Sequence, residues 1–114
     1  MSTARGQQAE SAAAAFLEYH GCTVLARNWR TRWCEIDIVA QKDGVIYFVE
    51  VKYRAADAWG TGLEYITPKK LRQMHFAAEF WRATHPVTGQ RFCIAAAELS
   101  GEPPRITAWI RDVG

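Results

Sequence analysis

Residues 34–53 constrain this chain more than any other stretch. Two apolar runs, residues 34–41 and 45–53, flank Asp43-Gly44, a dipeptide that favours the tight turn in which both central residues take positive φ. Two strands joined this way form an antiparallel hairpin whose register follows from the turn. Asp37 then falls opposite Glu50, and Glu35 falls opposite Lys52. Strand alternation puts all four on one face of the ribbon. The intervening Ile36, Ile38, Val49 and Val51 are apolar, so the other face is covered and the hairpin is central in its sheet.

The remaining elements arrange themselves around that hairpin. Residues 7–20 read as a helix rich in Ala, stopped by Gly21, with Ala9, Ala13, Phe16, Leu17 and His20 on one face and Glu10 at its margin. Residues 22–30 read as a strand. The stretch 55–65, with Gly60 and Gly62, reads as a loop. Thr67-Pro68 opens a second helix as N-cap and first helical residue; Leu71, Met74, Ala78 and Trp81 form its apolar face, and His85-Pro86 ends it. Residues 91–99 and 105–111 read as two more strands. The order α-β-β-β-α-β-β describes an α/β fold, a mixed sheet of about five strands with flanking helices.

The 114 residues suit a single domain spanning 1–114, and a chain of this size buries roughly two-thirds of its unfolded surface. Five Trp, four Tyr and five Phe supply core material, which excludes a disordered chain. The formal charge of +2 permits a nucleic-acid partner without requiring one. No apolar run reaches the ~18 residues of a membrane helix, and the polar N-terminus lacks signal-peptide order, so no membrane is expected. Cys22, Cys34 and Cys93 are scattered without a zinc spacing, as are His20, His75 and His85; this suits a reducing, cytoplasmic setting.

Two carboxylates facing each other at a covered site require a proton, a cation or a metal ion. Lys52 is one such cation. A hard divalent ion, Mg²⁺ or Mn²⁺, held by Asp37, Glu50 and the backbone carbonyl of Val51 is the sharper answer, with Glu10 completing the set if its helix crosses the same face. Such a site activates water for in-line attack on a phosphodiester, with Lys52 offsetting charge on the phosphoryl oxygens. The plainer reading is a solvated ladder of ion pairs, Glu35 with Lys52 and Asp37 with an arginine.

Asp37, followed after twelve residues by Glu50-Val51-Lys52, resembles the PD-(D/E)XK motif of restriction-endonuclease-like phosphodiesterases. The wider chain is similar to the YraN family of bacterial proteins, themselves similar to archaeal Holliday junction resolvases. The matching segments are Gly6 to Leu17, Asn28-Trp29-Arg30, Glu35 to Val39, Phe48 to Arg54 and Thr67 to Lys70. The resemblance implies metal ligands at Asp37 and Glu50, a catalytic lysine at Lys52, an acidic helix residue at Glu10, and supporting roles for Glu35 and Lys70. It also implies a metal-dependent endonuclease acting on DNA, including branched or structured DNA, for which two active sites and hence a homodimer are expected. Cys34 stands where the family usually has Gly, and Cys93 where it has Asp.

Contacts to nucleic acid are expected from Arg30, Arg32, Trp33, Arg54, Lys69 and Lys70. The segment 28–33 interleaves cations with indoles, suited to phosphate binding and base stacking. Equally, Trp29 is readable as core and Trp33 as packing a strand end. Lys69, Lys70 and Arg72 sit at a helix N-terminus, where the dipole favours an anion over a cation, so they make sense beside a phosphate or as a solvated turn. Phe76 and Phe80 lie opposite the apolar helix face, against a partner subunit or a neighbouring element. A non-catalytic nucleic-acid-binding module and a protein-interaction adaptor are the competing functions.

Overall fold

The computed structural model describes residues 4–55, 66–85 and 89–114. Its elements are α1 (Ala4–Tyr19), β1 (Thr23–Arg30), β2 (Glu35–Lys42), β3 (Val45–Tyr53), α2 (Pro68–Thr84), β4 (Arg91–Ser100) and β5 (Arg105–Ile110). The five strands form one sheet in the order β1-β2-β3-β4-β5. All neighbours are antiparallel except β3 and β4, which run parallel because α2 lies between them in sequence. The α/β class, the mixed sheet and the element order are those expected. The loop expected at 55–65 and the stop at Pro86 fall almost wholly outside the described residues.

The turn chemistry explains the hairpin. Asp43 and Gly44 have φ of 51° and 78°, and Lys42 faces Val45 across a two-residue turn. The ladder then runs back to Ile38 opposite Val49, in the register set by the turn. Thr67 caps α2 as expected, its hydroxyl accepting from the Lys70 amide at 3.1 Å. Gly21, at φ 91°, follows the last turn of α1, where the Cys22 amide reaches back to the Leu17 carbonyl.

Each face of the sheet carries its own core. Ala9, Ala13 and Leu17 of α1 pack on Ile38, Ala40, Tyr47, Val49, Ala95, Ala97 and Leu99. On the other side Met74, Ala77, Ala78 and Trp81 of α2 pack on Ile36, Val39, Ile46, Phe48 and Ile94. Two details differ from the expected α1 face. The helix starts at Ala4 instead of residue 7, and His20 is exposed because the helix has already ended at Tyr19. Among the described residues, no helix is long and apolar enough to cross a membrane.

Candidate functional site

The sheet is irregular at one place, and the acids gather there. Ile36 belongs to the α2-side core and Ile38 to the α1-side core, although residues two apart on a regular strand share a face. The same break occurs opposite, on β1. Arg27 reaches the α1 side, donating to the Ser11 hydroxyl at 3.1 Å, while Trp29 packs on the α2 side. Between them Asn28 has φ 50°, a left-handed conformation that Asn tolerates better than most residues. Both strands therefore change faces at Asn28 and Asp37, which lie at equivalent positions between the pairs Arg27–Ile38 and Trp29–Ile36.

Asp37 consequently does not project from one sheet face in a row with Glu35, Glu50 and Lys52. The described β2–β3 ladder ends at Ile38–Val49, and beyond it the Asp37 carboxylate serves as acceptor for β3, taking the Val51 amide at 2.8 Å. The expected one-face alignment fails because the strands change faces at this residue. Asp37 and Glu50 are neighbours, as their register implies, since the charge and side chain of Glu50 both act on the Asp37 carboxyl. Asp37 is 8% exposed and Glu10 is 7% exposed, the two charged residues of the buried set among the described residues.

Burial pushes the Asp37 carboxyl up to about 8. The charge of Glu50 and the hydrogen bond between the two side chains add to the rise, the Val51 amide opposes it, and the charge of Glu10 adds a smaller push. Glu10 approaches from α1 and accepts from Asn28 Nδ2 at 2.9 Å, so the left-handed residue of β1 also anchors the helix acid. From the opposite side Lys70, in the first turn of α2, reaches Glu50 Oε2 at 2.9 Å. Asp37 and Glu50 thus meet where β2 and β3 separate, with Glu10 near enough from α1 to add its charge and the Lys70 ammonium on Glu50.

The other expected residues distribute around this centre. Lys52 is exposed on β3, two residues beyond Glu50 and so on the same side of a regular strand. Glu35 is drawn away to Arg30, whose Nε lies 3.0 Å from its Oε2. Arg54 pairs with Glu98 at 3.5 Å, both side chains largely covered. Arg32 lies over the Trp33 ring, and Lys69 is exposed beside Lys70. Trp29 is core against Trp81 and Phe48, as the plainer reading of that residue had it.

Two residues beside the acids, Asn28 and Cys34, had no role in the site assigned from the sequence. Asn at a strand interior, as at position 28, is itself an irregularity signal. Cys34 lies close enough to feel Lys70, Glu50 and Asp37, with burial raising its thiol. Phe76 and Phe80 cover a neighbouring element, one of the two expectations for them: both touch Trp33, and Phe80 also lies on Trp29.

The donor set suits a hard cation, though not as a closed cage. Among the described residues no three His, Cys, Asp or Glu side chains are grouped as ready metal ligands. Asp37 and Glu50 offer two carboxylates, which matches the one or two that Mg²⁺ commonly takes from a protein when water and phosphate complete its shell.

Comparison with known proteins adds a family. The model of "Uncharacterised protein family UPF0102" matches residues 9–97, which include every acid of the cluster and Lys52 and Lys70. A UPF0102 protein of Neisseria meningitidis is 36% identical over 109 residues, covering 96% of this chain and 93% of the relative. One from Leifsonia xyli is 45% identical over 85 residues, 74% of this chain and 72% of the relative. One from Halorhodospira halophila is 38% identical over 108 residues, 95% and 84% respectively.

Proposed function

We propose that this chain, which belongs to the UPF0102 family, is a nuclease of the PD-(D/E)XK type that uses Mg²⁺ or Mn²⁺ to hydrolyse phosphodiester bonds in DNA. The observation that carries the reading is the convergence of Asp37 and Glu50 where β2 and β3 separate, with Lys52 exposed two residues beyond Glu50. An ion-pair ladder would distribute acids and bases alternately along a solvated face. Here two carboxyls lie together, one of them buried, with the Lys70 ammonium 2.9 Å from Glu50.

Asp37 and Glu50 would hold the cation, whose contribution is to polarise a phosphate oxygen and to lower the pKa of a nucleophilic water. The chain's own residues prepare the rest. The Val51 amide fixes the Asp37 carboxylate in orientation, and Lys70 holds Glu50 toward it. Glu10, tied to Asn28, raises the negative potential that draws a divalent ion to the pair. Lys52 presents an ammonium to charge that develops on the phosphoryl oxygens. The start of α2 adds Lys69 and its helix dipole on the side where a phosphate would approach.

The test is hydrolysis of a DNA panel (duplex, single-stranded, flap and four-way junction) with Mg²⁺ or Mn²⁺. Wild type should cut at least one member, and Asp37→Ala and Lys52→Ala should each abolish cutting. Cutting that survives both substitutions belongs to a contaminant and defeats the proposal. Salt-sensitive binding with no turnover on any substrate would transfer the reading to a non-catalytic nucleic-acid-binding module.

A further inference from the structure

The outer side of α2 carries a second pattern. At about 100° per residue, Lys69, Arg72, Phe76 and Phe80 fall within an arc of about 80°, facing away from Met74 and Trp81. Phe76 is 53% exposed and Phe80 is 45% exposed. Such exposure at consecutive turns of a helix is costly unless something covers the rings. They also form part of an ordered stack. Trp33 lies against both, with ring centres 6.0 Å and 5.8 Å away, and Trp29 lies nearly parallel to Phe80 at 6.2 Å and 18°.

The turn that presents Trp33 is rigidly built. The Thr31 hydroxyl donates to the Cys34 carbonyl at 2.8 Å and accepts from the amides of Trp33 and Cys34 at 3.2 Å each. Arg32 lies over the Trp33 ring at 5.7 Å. The rim is cationic: Arg30, Arg32, Lys69 and Arg72, against two acids, Glu35 on Arg30 and Glu79, while Arg82 lies on the other flank of α2, over the Phe92 ring. A second copy of this chain docked face to face would bring the same positive rim against itself. An aromatic centre inside a cationic rim instead complements bases carried on a polyanion.

We propose that Trp33, Phe76 and Phe80 form a stacking platform for unpaired nucleic-acid bases, leading a single-stranded segment of substrate toward the acid cluster. The route follows from position. Cys34, next to Trp33, feels Lys70, Glu50 and Asp37, while Lys69 adjoins Lys70, and α2 spans about 15 Å from Lys70 to Phe80. The delivery of that segment to a cutting site rests on the nuclease reading, whereas base stacking itself does not. The substrate class so defined is nucleic acid with exposed bases, such as a flap, a gap or a single-stranded end, in preference to continuous duplex.

The experiment is fluorescence anisotropy in EDTA with a labelled oligothymidylate of about 12 nucleotides, its abasic counterpart and a duplex of equal length. The oligothymidylate should bind roughly tenfold or more tightly than the abasic strand, and Phe76→Ala should weaken it about 5- to 150-fold. Phe76→Tyr should restore binding. Trp33→Ala should act in the same direction, with Phe76→Ala keeping the test decisive if Trp33→Ala fails to fold. Equal affinity for base-bearing and abasic strands would overturn the platform. So would a dimer, seen by sedimentation velocity, that Phe76→Ala dissociates. Hydrolysis is scored separately. Base-dependent binding without cutting sinks only the nuclease reading, and cutting with base-independent binding sinks only the platform.

Discussion

Replacing Asp37 by asparagine should stabilise the native protein at neutral pH, because the carboxamide reproduces the protonated acid. Its oxygen can still accept from the Val51 amide, and its NH₂ can donate to Glu50, the two contacts that the Asp37 carboxyl makes. Wild type holds its Asp37 proton up to about 8, whereas the unfolded chain releases it near the ordinary value of 3.8. The native state therefore binds more protons between these values, and stability falls as pH rises. The contribution of this group is complete below about pH 4 and is lost as pH climbs to about 8, at no more than ~1.4 kcal/mol per pH unit. By pH 7 the loss approaches a ceiling of about 4 kcal/mol. Relaxation and water entry reduce it, so Asp37→Asn should gain on the order of 2 kcal/mol, about 8 °C in Tm for a domain of this size. The assay is thermal unfolding by circular dichroism at pH 5, 6, 7 and 8 in EDTA. A variant no more stable than wild type at pH 7, or one with the same pH slope, would refute the argument that two crowded carboxyls share a proton here.

Other perturbations probe the surrounding parts. Lys70→Met should cost about 1–3 kcal/mol in urea unfolding, since the largely covered Glu50 carboxyl would lose the ammonium 2.9 Å away. Glu10→Gln keeps an acceptor for Asn28 but removes one negative charge near Asp37, so the fall of stability with pH should end at a lower pH than in wild type. Lys52→Ala, at an exposed position, should leave Tm within a degree or two of wild type while lowering DNA hydrolysis by about 100-fold or more. Thr67→Ala removes the hydroxyl that accepts from the Lys70 amide and should cost about 1 kcal/mol, with a further loss of activity because it loosens the turn that carries Lys70.

What the sequence made legible follows from how local each signal is. Asp43-Gly44 set a two-residue turn, and the turn fixed the register from Lys42–Val45 to Ile38–Val49. Thr67-Pro68 marked the start of α2 through chemistry contained in four residues. The meeting of Asp37 and Glu50 followed from that register. The face change at Asn28 and Asp37 did not, because it depends on two strands deforming together and on Glu10 arriving from a helix 18 residues away. The partners of Glu35 and Arg54 escaped for a related reason. Facing positions suggested Lys52 for Glu35, and the structure puts Arg30 of the neighbouring strand on it, while Arg54 meets Glu98 across a parallel pair formed only after α2 has crossed over. The stack of Phe76 and Phe80 on Trp33 likewise joins a helix to a turn that no periodicity connects.

The nuclease reading requires that Asp37 and Glu50 together receive one divalent cation. Calorimetric titration of Mg²⁺ or Mn²⁺ into the metal-free protein at pH 7.5 (a round value, about half a unit below the Asp37 midpoint) tests it without reference to any substrate. One ion should bind per chain, with release of a proton, and Asp37→Ala should lose that binding. An absence of binding by the folded wild type, or binding unchanged in Asp37→Ala, would contradict that reading.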